Sequence, residues 1–183
     1  MAISIAGSGI TSANIADGTI VNADINPSAA IDGSKLTGVG KVLQVVSANY
    51  VVGGSTSSTS FVSTGLTATI TPSSTSSKII ILASPTVYGD RSGTTNNLIK
   101  LAIYKGASIL ADSETGVRTY DRGSSGIQGW GKPAMNYEDS PSTTSATTYT
   151  VYGKATASGI TFVWNPGDSG GSHSNIILME IAG

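Results

Sequence analysis

The nine residues PGDSGGSHS, Pro166 to Ser174, set Ser169 behind an aspartate and ahead of two glycines, with His173 four residues further on. A serine hydroxyl becomes a nucleophile when an imidazole takes its proton, a carboxylate orients that imidazole, and two backbone N–H groups receive the developing oxyanion. All of these groups occur within this one stretch. Hydrolysis is therefore the first chemistry to test.

Gly167 to Gly171 resembles the sequence around the nucleophilic serine of the trypsin family, in which the chain order is His, then Asp, then Ser. His173 is the single histidine of the chain and it follows Ser169, so the upstream base is missing. We expect no catalytic residue and no enzymatic activity. The stretch reads instead as a polar hairpin loop between two apolar strands, GITFVW and NIILMEIAG. Pro166-Gly167-Asp168 would start the turn and the paired glycines would take positive φ.

Metal chemistry has few ligands to work with. One histidine and no cysteine preclude the usual zinc sites, and the eleven carboxylates form no Asp-x-Asp-x-Asp-Gly calcium loop. Asp17, Asp24 and Asp32 could share an ion only if several copies converged on an axis; as single residues they read as turn formers. We expect no metal site and no cofactor. GSGITS at Gly7 to Ser12 and GIQGWG at Gly126 to Gly131 lack the strand-then-helix setting of a phosphate loop.

Sugar binding has better material. Tyr88, Tyr120, Trp130 and Tyr137 lie near Asp90, Arg91, Arg118 and Arg122, and an aromatic face beside planar polar groups can stack on a sugar and bond its hydroxyls. Tyr88, Arg91, Tyr120, Trp130 and Tyr137 are the candidate glycan contacts.

These residues must be positioned by a chain of 183 residues, long enough for one domain with an appendage. Only 11% are charged, whereas Ser and Thr number 28 and 22, so the surface is hydrated by hydroxyls. A net charge of -1 gives no footprint for nucleic acid or an anionic membrane. No window approaches 18 apolar residues, and MAISIAGSGI has neither the basic nor the apolar stretch of a signal peptide. We expect a soluble protein with no membrane insertion and no nucleic-acid partner.

Two regions follow different rules. Through residue 40, Ile5, Ile10, Ile15, Ile20, Ile25, Ile31 and Leu36 recur at a spacing of five broken once by six. Gly7, Gly9, Gly18, Pro27 and Gly33 discourage a helix, and each step reads as a short extended piece closed by a bend, similar to the pentapeptide-repeat pattern of quadrilateral β-helices. Seven steps make fewer than two four-sided coils, too few to bury their own apolar row. Several copies winding about a common axis could bury it, so residues 1–40 are expected to be an oligomerisation stalk.

From Lys41 the period becomes two. GLTATITP, NLIKLAIYKG and TTYTVYGKAT alternate apolar and polar residues, as strands with one buried face do. KVLQVV, KIIILA and SNIILMEIAG are apolar nearly throughout, which predicts cover on both faces. Turn-forming segments separate these runs. Eight or so short strands and no credible helix predict an all-β, antiparallel sandwich of jelly-roll type over 41–183. Ile176, Ile177, Leu178 and Met179, in the last strand, are the candidate subunit contact.

ITSANIADGTIVNADINPSAAIDGSKLTG resembles a repeat segment of structural proteins and fibres of tailed phages, particularly those infecting cyanobacteria. GKVLQVVS, SFVSTGLTATITPSSTSSKIIILA and SNIILMEIAG resemble the β-sandwich that caps such fibres. The resemblance implies a non-enzymatic homotrimer on the virion surface, assembled in the cytoplasm of the host bacterium. The short stretch ahead of the sandwich favours a capsid-decorating, or cement, protein bound to the major capsid protein. The alternative is a short tail fibre or tailspike tip that binds host envelope glycan.

Overall fold

A computed structural model describes residues 42–91, 97–111, 113–119, 127–166 and 173–183. The chain divides at Gly40 and Lys41. The stalk residues Ile5, Ile10, Ile15, Ile20, Ile25, Ile31 and Leu36 therefore lie outside the described residues, as do Asp17, Asp24 and Asp32.

The protein is all-β, and every strand pairing is antiparallel. The strands in chain order are β1 Val42–Tyr50, β2 Gly54–Thr56, β3 Val62–Ile70, β4 Lys78–Ser84, β5 Val87–Arg91, β6 Asn97–Lys105 and β7 Ser108–Ile109. They continue as β8 Thr115–Thr119, β9 Ile127–Gly131, β10 Met135–Asp139, β11 Thr147–Ala155, β12 Ile160–Trp164 and β13 Ser174–Ile181. No helix occurs among the described residues.

Three sheets result. One has the order β1-β13-β4-β10, a second β2-β12-β5-β9, and a third β3-β11-β6, with β7 and β8 both paired to β6. The first two sheets repeat one order because four passes of the chain run through both. β1 leads into β2, β4 into β5, β9 into β10 and β12 into β13. Each pass carries a ladder breaker at the junction: Gly53, Pro85, Pro133 and the pair Asn165-Pro166. Proline donates no N–H to a ladder and glycine weakens a strand, so the long sheet divides there.

The junction is tied together by side chains. Asn165, in the left-handed region with φ 42°, donates its backbone N–H to the Thr86 carbonyl at 3.0 Å and its Nδ2 to the Val52 carbonyl at 3.3 Å. The Ser174 hydroxyl donates to Asn165 Oδ1 at 2.5 Å and accepts the Thr86 N–H at 2.8 Å. Asn165 and Ser174 are both buried, and the network leaves these inward-facing polar atoms paired.

One core gathers side chains from all three sheets. Leu66, Ala68 and Ile70 from β3, Ile99, Leu101 and Ile103 from β6, and Tyr149 and Val151 from β11 meet Ile79 and Ile81 from β4, Phe162 from β12, and Ile176 and Leu178 from β13. Alternation thus survives inside the apolar runs. In KIIILA, Ile79, Ile81 and Ala83 are buried while Ile80 and Leu82 are half-buried, so the expected full cover on both faces is not met within one chain.

Between the pairs Thr67/Thr150 and Ser63/Tyr152, β3 advances four residues while β11 advances two. The surplus is taken up by a bulge. Gly65 stands in it at φ 81°, with the Tyr50 hydroxyl where a side chain would begin. Glycine satisfies both constraints at once.

Candidate functional site

The two strands that flank PGDSGGSHS do not form the expected hairpin. β12 pairs with β2 and β5, whereas β13 pairs with β1 and β4. Asn165 and Ser174, on either side of residues 167–172, are joined by a hydrogen bond. Asp168 and Ser169 lie outside the described residues. His173 is exposed, and its carbonyl accepts the Thr86 hydroxyl at 3.0 Å.

The candidate glycan residues are dispersed. Tyr88 on β5 stands directly across from Trp130 on β9 and Val163 on β12, which places Tyr88 and Trp130 in register on one sheet. Arg91 ends β5 opposite Ile127 and Ile160. Tyr120 is outside the described residues. Tyr137 lies on β10 opposite Ile81, half-buried against the core and on a different sheet from Tyr88 and Trp130. Its parity in β10 faces inward, which the sequence of so short a strand did not reveal.

The outer face of the β3-β11-β6 sheet holds an aromatic cluster that these candidates missed. Tyr104 and Tyr152 stack with centroids 4.0 Å apart and planes 24° apart, and Phe61 meets Tyr104 edge-on at 5.9 Å. Lys154 Nζ lies 4.1 Å from the Phe61 centroid. The register explains the stack. Tyr152 pairs with Ala102 and Thr150 with Tyr104, making the tyrosines diagonal neighbours on one face. Beside them, Thr67 bonds Thr150 at 2.9 Å and Thr69 bonds Thr148 at 2.7 Å through their hydroxyls.

Lys100 and Lys154 are directly opposed across β6 and β11, a like-charge pair that needs relief. Glu114 supplies part of it by accepting from Lys100 at 2.9 Å, and Lys154 turns over the Phe61 ring. The Lys100 hydrogen bond, opposed by partial burial and aided by the charges of both lysines, holds the Glu114 carboxyl below its ordinary value. Burial, then the neighbouring Tyr152 and Glu114, raises the Tyr104 phenol. A groove of about 210 Å³ adjoins the cluster, lined by Thr59, Lys100, Lys154, Ala155 and Thr156. Ring faces, hydroxyls and ammonium groups on one open surface are the groups that hold a sugar. The signal was present in the sequence: Tyr104 and Tyr152 fall on the outward parity of two clearly alternating strands, where an aromatic residue is out of place.

No family model and no curated protein sequence matches this chain.

The remaining polar clusters are internal braces. Tyr149, fully buried on β11, donates its hydroxyl to Asp139 Oδ2 at 2.6 Å, and Lys105 Nζ stands 3.0 Å from both oxygens of that carboxylate. The triad ties β11 and β6 to β10 in another sheet. Burial, then the hydrogen bond to Asp139 and its charge, raises the Tyr149 phenol far above its ordinary range, so it stays a neutral donor. Among the described residues no three His, Cys, Asp or Glu side chains come together as metal ligands would.

The subunit-contact candidates also separate. Ile176 and Leu178 are fully buried in the core of their own chain and cannot meet a partner. Ile177 and Met179 point to the outer face and are half-buried. Strict alternation decides this, because a strand cannot turn four successive side chains to one side.

Proposed function

We propose that this chain is a non-enzymatic, homotrimeric structural protein of a phage virion, built on a jelly-roll sandwich, which decorates and reinforces the capsid. The observation that carries the proposal is the order of the chain passes. Take β1 with β2, β4 with β5, β9 with β10 and β12 with β13 as single passes, and set the short β7 aside. Eight passes remain, of which the first, eighth, third and sixth lie side by side, and the second, seventh, fourth and fifth form the other layer. That interleaving supports the jelly-roll reading, an architecture used by viral capsid and lectin domains. The repeat resemblance of residues 1–40 supplies the phage setting and the threefold symmetry.

Reinforcement would follow from mass action. A trimer that binds only assembled capsid subunits lowers the free energy of the assembled shell and leaves that of the dissociated one unchanged. Quantitative mass spectrometry of purified particles of the encoding phage tests the location. Hundreds of copies per particle are expected, and a handful would overturn decoration in favour of a short tail fibre or tailspike tip.

The aromatic surface of Phe61, Tyr104, Tyr152 and Lys154 favours host adhesion as a second role, with envelope glycan as ligand. Tyr152→Ala removes one member of the stack and is expected to weaken glycan-array binding or host adsorption about tenfold. Unchanged binding would remove this surface from the site.

A further inference from the structure

Six large apolar side chains stand well exposed among the described residues, and five of them belong to one stretch. Val42, Leu43 and Val45 lie on β1, and Val51 and Val52 follow it, each 50 to 60% exposed. Among the described strands β1 pairs only with β13, so it forms an edge of its sheet. Residues 42–52 include no charged residue and no proline. Those are two of the devices by which natural edge strands avoid pairing with other chains; a third, a bulge, is confined to the start of β1 between Val42 and Gln44, so the edge from Gln44 to Tyr50 stays open to a partner.

The apolar surface continues inward from this edge. Register aligns Val45 with Met179 and Met179 with Ile80 across the outer face, and the neighbouring row aligns Ile177 with Leu82. It stops at the fourth strand, where Glu138 stands beside Ile80 and pairs with Lys78 at 2.6 Å. A contiguous apolar patch with a polar border marks an interaction surface.

We infer that the β1 edge and this outer face form the contact between copies of the chain. The inference rests on the trimeric reading above and adds the surface that makes the trimer. The occupant follows from what precedes the patch. Residues 1–40 carry a row of seven apolar residues at a five-residue spacing broken once by six, a row that needs other copies for burial, and only Lys41 separates them from Val42. Copies joined through that segment would hold the β1 edge of one near the outer face of the next. An uncharged, apolar edge also suits the apolar outer face of a second copy better than an acidic or basic partner. In a closed threefold ring the contact is heterologous, the edge of one copy lying on the face of the next.

Native mass spectrometry and sedimentation of the full chain test the surface with Val45→Lys and Met179→Lys. Ile109→Lys serves as the control, because Ile109 is the exposed apolar residue on another sheet. The wild-type chain and the control are expected to be trimers of equal stability. Each test variant is expected to raise the trimer dissociation constant about a hundredfold, since a charge is stranded in the contact. Far-ultraviolet circular dichroism should be unchanged, because both positions lie outside the core. Trimers of Val45→Lys and Met179→Lys that dissociate like wild type would overturn this surface and leave the trimeric reading standing. A monomeric wild-type chain would overturn both.

Discussion

Replacing Glu180 with alanine is expected to destabilise the fold by about 2–3 kcal/mol, because it removes four hydrogen bonds to one buried carboxylate and leaves the buried Ser77 hydroxyl without its acceptor. Glu180 is on β13 and fully buried. Its Oε1 accepts the Ser73 N–H at 2.7 Å, the Ser73 hydroxyl at 2.6 Å and the Ser77 hydroxyl at 2.6 Å, while Oε2 accepts Gln44 Nε2 at 2.5 Å. Gln44 also donates to the Thr71 carbonyl at 2.7 Å. One carboxylate therefore joins β1, the β3–β4 turn and the last strand. Burial by itself pushes this carboxyl up. The hydrogen bonds from Ser73, Ser77 and Gln44, with the Ser73 N–H, outweigh it and hold the group at about 2.

The pH dependence follows from that depression. Between about 2 and the ordinary value of 4.5, the unfolded chain binds a proton that the folded chain refuses, so stability falls as acid is added. The contribution is complete above the ordinary value and is lost as pH drops through the folded one. Urea unfolding at fixed protein concentration should show the wild-type midpoint falling between pH 5 and pH 2.5, and falling less steeply in Glu180→Gln. At pH 7 the amide is expected to cost less than alanine, because Gln44 can turn its own carbonyl toward the new N–H₂. Equal acid slopes in the two proteins would show that the cage does not hold the carboxylate ionised.

Phe162→Ala is expected to cost about 3–5 kcal/mol, the range for removing a buried aromatic ring and leaving its cavity. Phe162 is fully buried on β12, with Trp164 at 5.3 Å between centroids. Across the core the ring fills the space that a side chain at Gly153 would need. Gly153 on β11 is thus empty because Phe162 is large. Gly153→Ala alone should destabilise by about 1–3 kcal/mol through overpacking, and far less once Phe162 is alanine. Thermal unfolding of the four proteins of this cycle measures the coupling. Additive effects would separate the two positions.

The two positions also mark how far a sequence can be read. The alternation of Leu66, Ala68 and Ile70 and of Ile99, Leu101 and Ile103 was legible, and those residues are buried. In NIILMEIAG it was hidden, because the outward Ile177 and Met179 are apolar too. Glu180 was illegible for another reason. A carboxylate near the end of an apolar strand looks like an outward residue, and its donors lie more than a hundred residues earlier. Tyr104 and Tyr152 were legible by parity, but the stack needed the register of β6 on β11.

The residues of PGDSGGSHS show the same division. The sequence by itself determined that His173 comes after Ser169 and that the strands beside this segment carry period-two faces. These are properties of neighbouring residues, fixed by side-chain type and the two-residue repeat of an extended backbone. Only the tertiary structure decided that the flanking strands do not pair with each other, and that Asn165 and Ser174 bond to each other and to Thr86. Strand pairing is a competition among backbone donors and acceptors far apart in the chain. Every extended segment offers the same groups, so packing of the whole core selects the partners.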